Sequence, residues 1–159
     1  VTKCDAVKLE GGKEKSEIIK YLIKNKINVM GHVGLLPQKI KSNKDYKIKG
    51  RNLRERKKLV DDIKHLEQAG VFSIVLEATS FDAAEDVLKH SKVPIIGIGA
   101  SVNCDGQILV TEDLLGFFDK VPKFVKKYTN LKKQIIKAIG NYAKDVRSKK
   151  FPTKQNIYN

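Results

Sequence analysis

The stretch VFSIVLEATSFDAAEDVLKHSKVPIIGIGA, residues 71–100, contains two apolar runs with an amphipathic segment between them. The runs VFSIVLEA and VPIIGIGA are rich in branched side chains and predict buried β-strands. Between them, FDAAEDVLKHS has apolar residues at helical spacing, and Ser80 stands at the position of a helix N-cap. A strand, a helix and a second strand predict a parallel βαβ unit with a right-handed crossover.

The same alternation extends over most of the chain. Further strands are predicted at residues 5–12, 27–35 and 107–110, and a polar loop follows the second of these up to residue 52. Helices are predicted at residues 17–26 and 54–69, and within residues 120–127 and 131–148. Five βα steps of this kind fit either a small doubly wound sheet or part of an eight-stranded barrel, and the pattern leaves both open. No G-x-G-x-x-G follows a strand, so a dinucleotide-binding fold is not favoured.

The composition predicts a single globular domain over residues 1–159, with a surface tail at residues 149–159. No window approaches the roughly 18 consecutive apolar residues of a membrane span, so no membrane segment is expected. The two cysteines, Cys4 and Cys104, lack metal-binding spacing. They predict a reduced, cytoplasmic protein.

The formal net charge is +14, yet only four of the 32 basic residues are arginine. Proteins that read nucleic acids favour arginine for bidentate contacts and combine basic patches with aromatic residues. Here the lysines are spread over predicted helices and loops, which indicates a solvated surface and no specific nucleic-acid partner. Weak, salt-sensitive binding to polyanions is expected as a side effect.

Four ionisable residues lie near the ends of predicted strands, where parallel α/β folds gather their functional groups. Lys8 and Glu10 are two residues apart, so their side chains leave the same face of one strand. His32 and Glu77 close the next two strands, and each needs partners because burying an unpaired charge is costly. Structural interpretations remain open beside the functional ones: an ion pair for Lys8 and Glu10, and a hydrogen-bonded core histidine for His32.

Together these residues suggest Mg²⁺ chemistry with proton abstraction. Glu10 offers the oxygen ligand that a hard cation prefers, and no histidine or cysteine cluster in the sequence indicates zinc. Glu77 follows an apolar run without a basic neighbour in sequence, a setting that suits a general base. Asp105 and Asp113 are interpreted instead as turn and helix-start residues.

Several motifs along the chain form a recognisable series. In order they are DAVKLEGG, VMGHVGLLPQ, YKIKGR, SIVLEA, IIGIGA with NCDGQILV, EDLLG and DVRSKKFP, which span residues 5–152. In their sequence and spacing they closely resemble the ketopantoate hydroxymethyltransferases, enzymes of pantothenate synthesis. One departure is Ser101, where that family usually has glycine; it is expected to tighten a loop near the mouth of the active site.

The resemblance implies a (β/α)₈ barrel (TIM barrel) of the phosphoenolpyruvate/pyruvate type, assembled as a homo-oligomer, usually a decamer. It implies transfer of a hydroxymethyl group from 5,10-methylenetetrahydrofolate to 3-methyl-2-oxobutanoate, which gives 2-dehydropantoate through an enolate stabilised by Mg²⁺. On this likeness Lys8 and His32 correspond to substrate-binding residues. Glu10 corresponds to a metal ligand and Glu77 to the proton acceptor.

In that family DAVKLEGG is about the fourth strand of the barrel. The chain is therefore expected to supply about the last five βα units, without the amino-terminal half that completes the magnesium site. Two alternatives stay open beside an active transferase. One is an inactive or split fragment that acts as a structural partner, and the other is a related Mg²⁺-dependent lyase acting on a 2-oxo acid.

Overall fold

The structure is a computed structural model that describes residues 3–42 and 46–158. The chain divides into two compact units, Val1–Ile108 and Leu109–Asn159. Residues 43–45 of the predicted polar loop and the last residue of the predicted tail lie outside the described residues. The expectation of a single domain stays a prediction.

The first unit alternates strands and helices in the predicted order. Its elements are β1 (Ala6–Glu10), α1 (Ser16–Lys24), β2 (Asn28–Gly34), α2 (Leu53–Ala69), β3 (Ser73–Glu77), α3 (Phe81–His90), β4 (Ile95–Ile98) and β5 (Gly106–Gln107). Short 3₁₀ turns at Lys13–Lys15 and Pro37–Lys39 follow β1 and β2. The βαβ unit predicted from residues 71–100 is thus confirmed.

The five strands form one parallel sheet in the order β1-β2-β3-β4-β5. A doubly wound sheet reverses its order near the middle, whereas each strand of a barrel lies beside its neighbours in sequence. The sequential order is therefore that of a partial (β/α)₈ barrel, which decides between the two architectures that the pattern left open. Right-handed crossovers place the helices on one face of such a sheet.

The core lies between that face of the sheet and the helices. Ile63 and Leu66 of α2 are fully buried against strand residues such as Val29 and Ile74. Each buried side chain of this size contributes about 1.5–3 kcal/mol relative to an exposed one. Because side chains alternate along a strand, the residues on the opposite face, among them Lys8 and His32, are turned away from the helices.

The ends of the helices follow their sequence signals. The Asn52 side chain accepts a hydrogen bond from the Glu55 amide at the start of α2, and Gly70 ends the helix in a left-handed conformation. The Ser80 side chain accepts from the Ala83 amide, which confirms the predicted cap of α3. Between α2 and α3, Arg56 donates to Asp86 at 2.7 Å, and this hydrogen bond lowers the pKa of Asp86.

The second unit contains α4 (Thr111–Leu114), α5 (Leu131–Arg147) and a 3₁₀ turn at Lys154–Asn156. The helix predicted within residues 120–127 is absent: this stretch forms turns, with the Val125 amide bonded to the Pro122 carbonyl. Proline lacks the amide hydrogen that a continuing helix needs. Residues 149–158 are exposed, and their assignment as a tail stays a prediction.

One further detail of the sheet differs from expectation. The predicted strand at residues 107–110 is a two-residue strand, Gly106–Gln107, that pairs with β4. A loop joins β4 to β5. Among the described residues, no helix is long and apolar enough to cross a membrane.

Candidate active site

The four predicted site residues meet at the carboxyl ends of β1, β2 and β3. The Lys8 Nζ atom lies 3.1 Å from His32 Nδ1, and Glu10 Oε1 lies 3.7 Å from the same nitrogen. On the other side of the ring, His32 Nε2 lies 3.1 Å from Glu77 Oε2. His32 therefore connects the pair on β1 with the carboxylate on β3.

The strand register explains why these residues meet. Glu10 is paired with His32 across β1 and β2, and Gly34 with Glu77 across β2 and β3. Alternation then places Lys8, Glu10, His32 and Glu77 on the same face of the sheet. Residues far apart in sequence become neighbours because every strand of a parallel sheet ends at the same edge.

His32 is almost fully buried, at 1% exposure. The Lys8 ammonium group carries only donors, so the close approach of Lys8 assigns the lone pair to Nδ1 and the hydrogen to Nε2. The Nε2 atom is close to Glu77 but is not aligned with it as a hydrogen bond, and it has no other partner in the described chain.

Glu10 is held from the loop that follows β2. The backbone amide of Gln38 donates to Glu10 Oε2 at 3.1 Å, and the Gly11 amide donates to the His32 carbonyl at 3.0 Å. The Glu10 side chain is mostly buried, at 9% exposure. Its Oε1 atom is turned towards His32, on the face of the sheet opposite the helices, which we call the open face.

Glu77 ends β3 immediately before a change in chain direction. Ala78 has a φ of 47°, and its amide donates to the Ile98 carbonyl at 2.9 Å. The Glu77 side chain is 12% exposed, so it is shielded but reachable from the open face. A non-glycine residue in the left-handed region is uncommon, and such strain is often found beside functional residues.

A magnesium ion can use only part of this set. In the described ranges, no group of three or more histidine, cysteine, aspartate or glutamate side chains is arranged to hold a metal ion. Glu10 fits as a single carboxylate ligand, since Mg²⁺ is often held by one or two carboxylates together with water and substrate oxygens. His32, with Nδ1 occupied by Lys8, does not fit as a ligand.

Sequence reasoning missed one positioning residue, Asp62 of α2. Its buried carboxylate accepts from the Lys13 amide at 3.0 Å and lies where a Cβ atom on Gly12 would be. Asp62 thereby fixes the turn that follows Glu10. The available signal was an aspartate on the apolar face of a helix, between Leu59 and Ile63.

Other expectations concerned turn and loop residues. Asp113 lies in the first turn of α4, as predicted. Asp105 does more than form a turn, because its side chain accepts from the Ile95 amide at 2.8 Å and connects the β4–β5 loop to β4. Ser101 is buried and donates to Glu85 Oε1 at 2.7 Å. This bond ties the β4–β5 loop to α3.

The chain has the parallel sheet of a barrel, with a lysine, a histidine and two glutamates at the carboxyl ends of adjacent strands. Active sites of (β/α)-barrel proteins lie at that end of the strands, so the structure places the chain in this class. Within this class, the model of the ketopantoate hydroxymethyltransferase family matches residues 1–154. The chain belongs to that family.

Curated relatives agree with the family match. The chain is 56% identical over 157 residues to the 3-methyl-2-oxobutanoate hydroxymethyltransferase of Pelagibacter ubique (strain HTCC1062). The matched stretch covers 99% of this chain and 60% of that protein. It is 47% identical to the enzyme of the same name from Nitrosopumilus maritimus (strain SCM1), covering 97% of this chain and 56% of that protein. The chain thus spans up to about 60% of the length of these relatives.

Proposed function

We propose that the protein transfers a hydroxymethyl group from 5,10-methylenetetrahydrofolate to 3-methyl-2-oxobutanoate, with Mg²⁺, and gives 2-dehydropantoate. Membership of the family supports the reaction class. The observation that carries the proposal for this chain is the joint position of Lys8, Glu10, His32 and Glu77 at one sheet edge.

In this proposal Glu77 removes the proton from C3 of the oxo acid. The carboxylate is shielded from water, yet it faces the open side of the sheet. His32 lies beside it, with Nε2 3.1 Å from Glu77 Oε2, and this nitrogen carries the ring hydrogen when Lys8 occupies Nδ1. General bases placed in this way typically contribute a factor of about 10²–10⁴ to a rate.

Lys8 stabilises the negative charge that develops on the keto oxygen when the proton leaves. A positive charge held close to the developing oxyanion lowers the energy of the transition state. Glu10 is the residue that would hold Mg²⁺. When bound, that ion would polarise the keto and carboxylate oxygens of the substrate.

The carbon nucleophile then forms a bond to the methylene carbon of the folate. The two bonds from that carbon to the folate nitrogens break, tetrahydrofolate leaves, and water supplies the new hydroxyl group. The residues named here act on the oxo acid and complete the first half of the reaction without the folate. That half can be measured separately.

The test is exchange of the C3 proton of 3-methyl-2-oxobutanoate in D₂O, followed by NMR with Mg²⁺ present. We expect exchange that stops when a chelator removes the metal. A chain that is folded by circular dichroism and shows no exchange would contradict the proposal and favour a structural role. Cleavage of the oxo acid, rather than exchange, would favour the related lyase.

We also propose that the protein acts in the cytoplasm as a homo-oligomer, a decamer as in the family resemblance. Cysteine is rare in the sequence, which contains Cys4 and Cys104 alone, and this supports a reducing compartment. Sedimentation velocity tests the assembly, and a monomer at micromolar concentration would contradict it.

A further inference from the structure

The connection between β2 and α2 contains a basic pocket of about 340 Å³. We call it the lysine pocket, and its lining among the described residues consists of Gly34, Leu35, Leu36, Lys39, Ile40, Lys47 and Lys49. All the ionisable side chains in this lining are lysines. Such a pocket attracts anions, because its described lining contains three lysines and no carboxylate.

Two of the three lysines are available to a ligand. Lys39 donates to Glu14 Oε1 at 3.2 Å. Within residues 3–42 and 46–158, Lys47 and Lys49 form no ion pair with a carboxylate. The pKa of Glu55 is lowered chiefly by the hydrogen bond from the Arg51 amide, and Lys49 acts on it only as a minor charge.

The lysine pocket adjoins the candidate active site on two sides. The Lys49 amide donates to the Ala78 carbonyl at 2.9 Å, and the Ser80 amide donates to the Lys49 carbonyl at 2.8 Å. Lys49 is therefore fixed beside the residues that directly follow Glu77. On the other side, Gln38 precedes Lys39 and donates to Glu10.

A co-substrate that reacts beside Glu77 with the oxo acid and carries a negative tail would therefore reach the lysine pocket with that tail. The folate donor has such a tail, since its glutamate residues carry two or more carboxylates at the end remote from the reacting methylene group. We infer that the lysine pocket binds the glutamate carboxylates of the folate donor through Lys47 and Lys49. This inference rests on the proposed function, because only that reaction brings a folate to the site.

The experiment compares 5-formyltetrahydrofolate, a stable analogue of the donor, carrying one, three or five glutamates. Dissociation constants are measured by isothermal titration for the protein and for the double variant Lys47→Gln/Lys49→Gln. The matched control is Lys133→Gln/Lys137→Gln, which removes the same charge from exposed positions of α5. Both double variants leave every backbone hydrogen bond at Lys49 in place.

We expect affinity to rise roughly two- to five-fold with each of the first added glutamates, as for partly exposed ion pairs. The Lys47/Lys49 variant should lose this dependence on tail length, and the Lys133/Lys137 control should keep it. Equal affinity for all tail lengths, or equal loss in both variants, would overturn the inference. The inference would also be overturned if inorganic phosphate displaced the polyglutamylated analogue as strongly as free triglutamate does.

Failure of the two proposals can be told apart. Exchange of the C3 proton requires no folate, so it tests the reaction independently of the lysine pocket. If the C3 proton exchanges but folate affinity does not depend on the number of glutamates, only the inference about the lysine pocket is overturned. Tail-length dependence in a protein without exchange would support a folate subsite and contradict the proposed reaction.

Discussion

His32 is a single side chain that touches every other predicted site residue. Its Nδ1 atom contacts Lys8 and lies near Glu10, and its Nε2 atom faces Glu77. A buried imidazole with one nitrogen hydrogen-bonded has a fixed orientation, which in turn fixes the direction of the remaining N–H. His32 is thus a buried, hydrogen-bonded histidine, as one interpretation of the sequence held, and its role in binding substrate stays a prediction.

Replacement of Glu77 by glutamine tests the role of the base. Glu77→Gln keeps the size of the side chain but removes its ability to take a proton, so we expect C3 exchange to fall by at least about 100-fold. Mg²⁺ affinity, measured by titration calorimetry, should change less than about two-fold. Loss of metal binding in this variant would contradict the separation of base and ligand. Glu17→Gln, at an exposed position of α1, is the control.

Replacement of Glu10 tests the metal ligand. Glu10→Gln can still accept the hydrogen bond from the Gln38 amide, but it removes the negative charge that a hard cation needs. We expect Mg²⁺ affinity to drop by roughly ten-fold or more, in line with the loss of about 1.4 kcal/mol or more of binding free energy. An unchanged metal affinity by the same calorimetry would remove Glu10 from the metal site.

For single residues, the sequence predicted which strand side chains form the candidate site, but not which groups hold them in place. Lys8, Glu10, His32 and Glu77 could be found because they interrupt or end apolar runs. The Gln38 amide and the Asp62 carboxylate could not be placed, since their contacts depend on how a loop and a helix fold back onto β1. Backbone donors have no signal in the sequence at all.

Among the elements, β2 and its following loop control the geometry of the site. Gly34, the last residue of β2, has a φ of 95°, and a Cβ atom there would lie 2.2 Å from the Glu77 carbonyl oxygen. The Leu35 amide then donates to that same oxygen at 2.8 Å. The close approach of the chain at Gly34 therefore sets the end of β3, where Glu77 stands.

Substitution of Gly34 by alanine should disturb this junction. We expect Gly34→Ala to lower the free energy of unfolding by about 1–3 kcal/mol or more, from strain at positive φ together with the collision. Urea denaturation measures the change. The same substitution at Gly140, in the interior of α5, adds a Cβ that meets no atom of the described residues within 4 Å outside the backbone of its own helix. It should instead raise helicity and stabilise by up to about 1 kcal/mol. Equal effects at both positions would contradict this explanation.

A second prediction concerns the packing of α2 on the sheet. Leu66 is fully buried, and its Cδ1 atom lies where a Cβ atom on Gly31 of β2 would be crowded. Leu66→Ala should cost about 2–5 kcal/mol through lost burial and the cavity left behind. Leu53→Ala in the same helix, at a side chain that is 70% exposed, should stay within about 0.5 kcal/mol. Urea midpoints of the two variants give the comparison.

The elements that sequence reasoning placed correctly are those with strong periodicity and a cap, such as α2 and α3. The errors fall where other forces decide. Residues 108–110 are apolar enough for a strand, but β5 has one neighbour in the described sheet and only two of its residues pair. In residues 120–127, Pro122 and the bonds from Lys127 to the carbonyls of Phe118 and Asp119 favour turns.

For the whole molecule, the order of the strands could not be deduced from the alternation of elements. The choice between a doubly wound sheet and a barrel depends on which strands pair, and that is set by long-range contacts such as those of Ile74 with β2 and β4. The resemblance to a family supplied the answer that the periodicity lacked. The sequential pairing of the strands agrees with it.

The net charge of +14 leads to a prediction at the same scale. We expect the protein to bind heparin and duplex DNA at low salt and to release both by roughly 0.3 M NaCl, because such binding depends on counterion release. Two duplexes of different sequence should bind equally in fluorescence anisotropy. A preference of ten-fold or more for one sequence would contradict the assignment of the lysines to a solvated surface.

The sequential strand order also bears on how the chain acquires its fold. Each strand pairs with the next one along the chain, and the longest step joins Met30 to Ser73. Contacts of this kind keep the contact order moderate for a parallel sheet, so little loop-closure entropy is lost at each step. We expect the sheet to grow from one strand to the next, so that during synthesis each emerging strand finds its partner already in place.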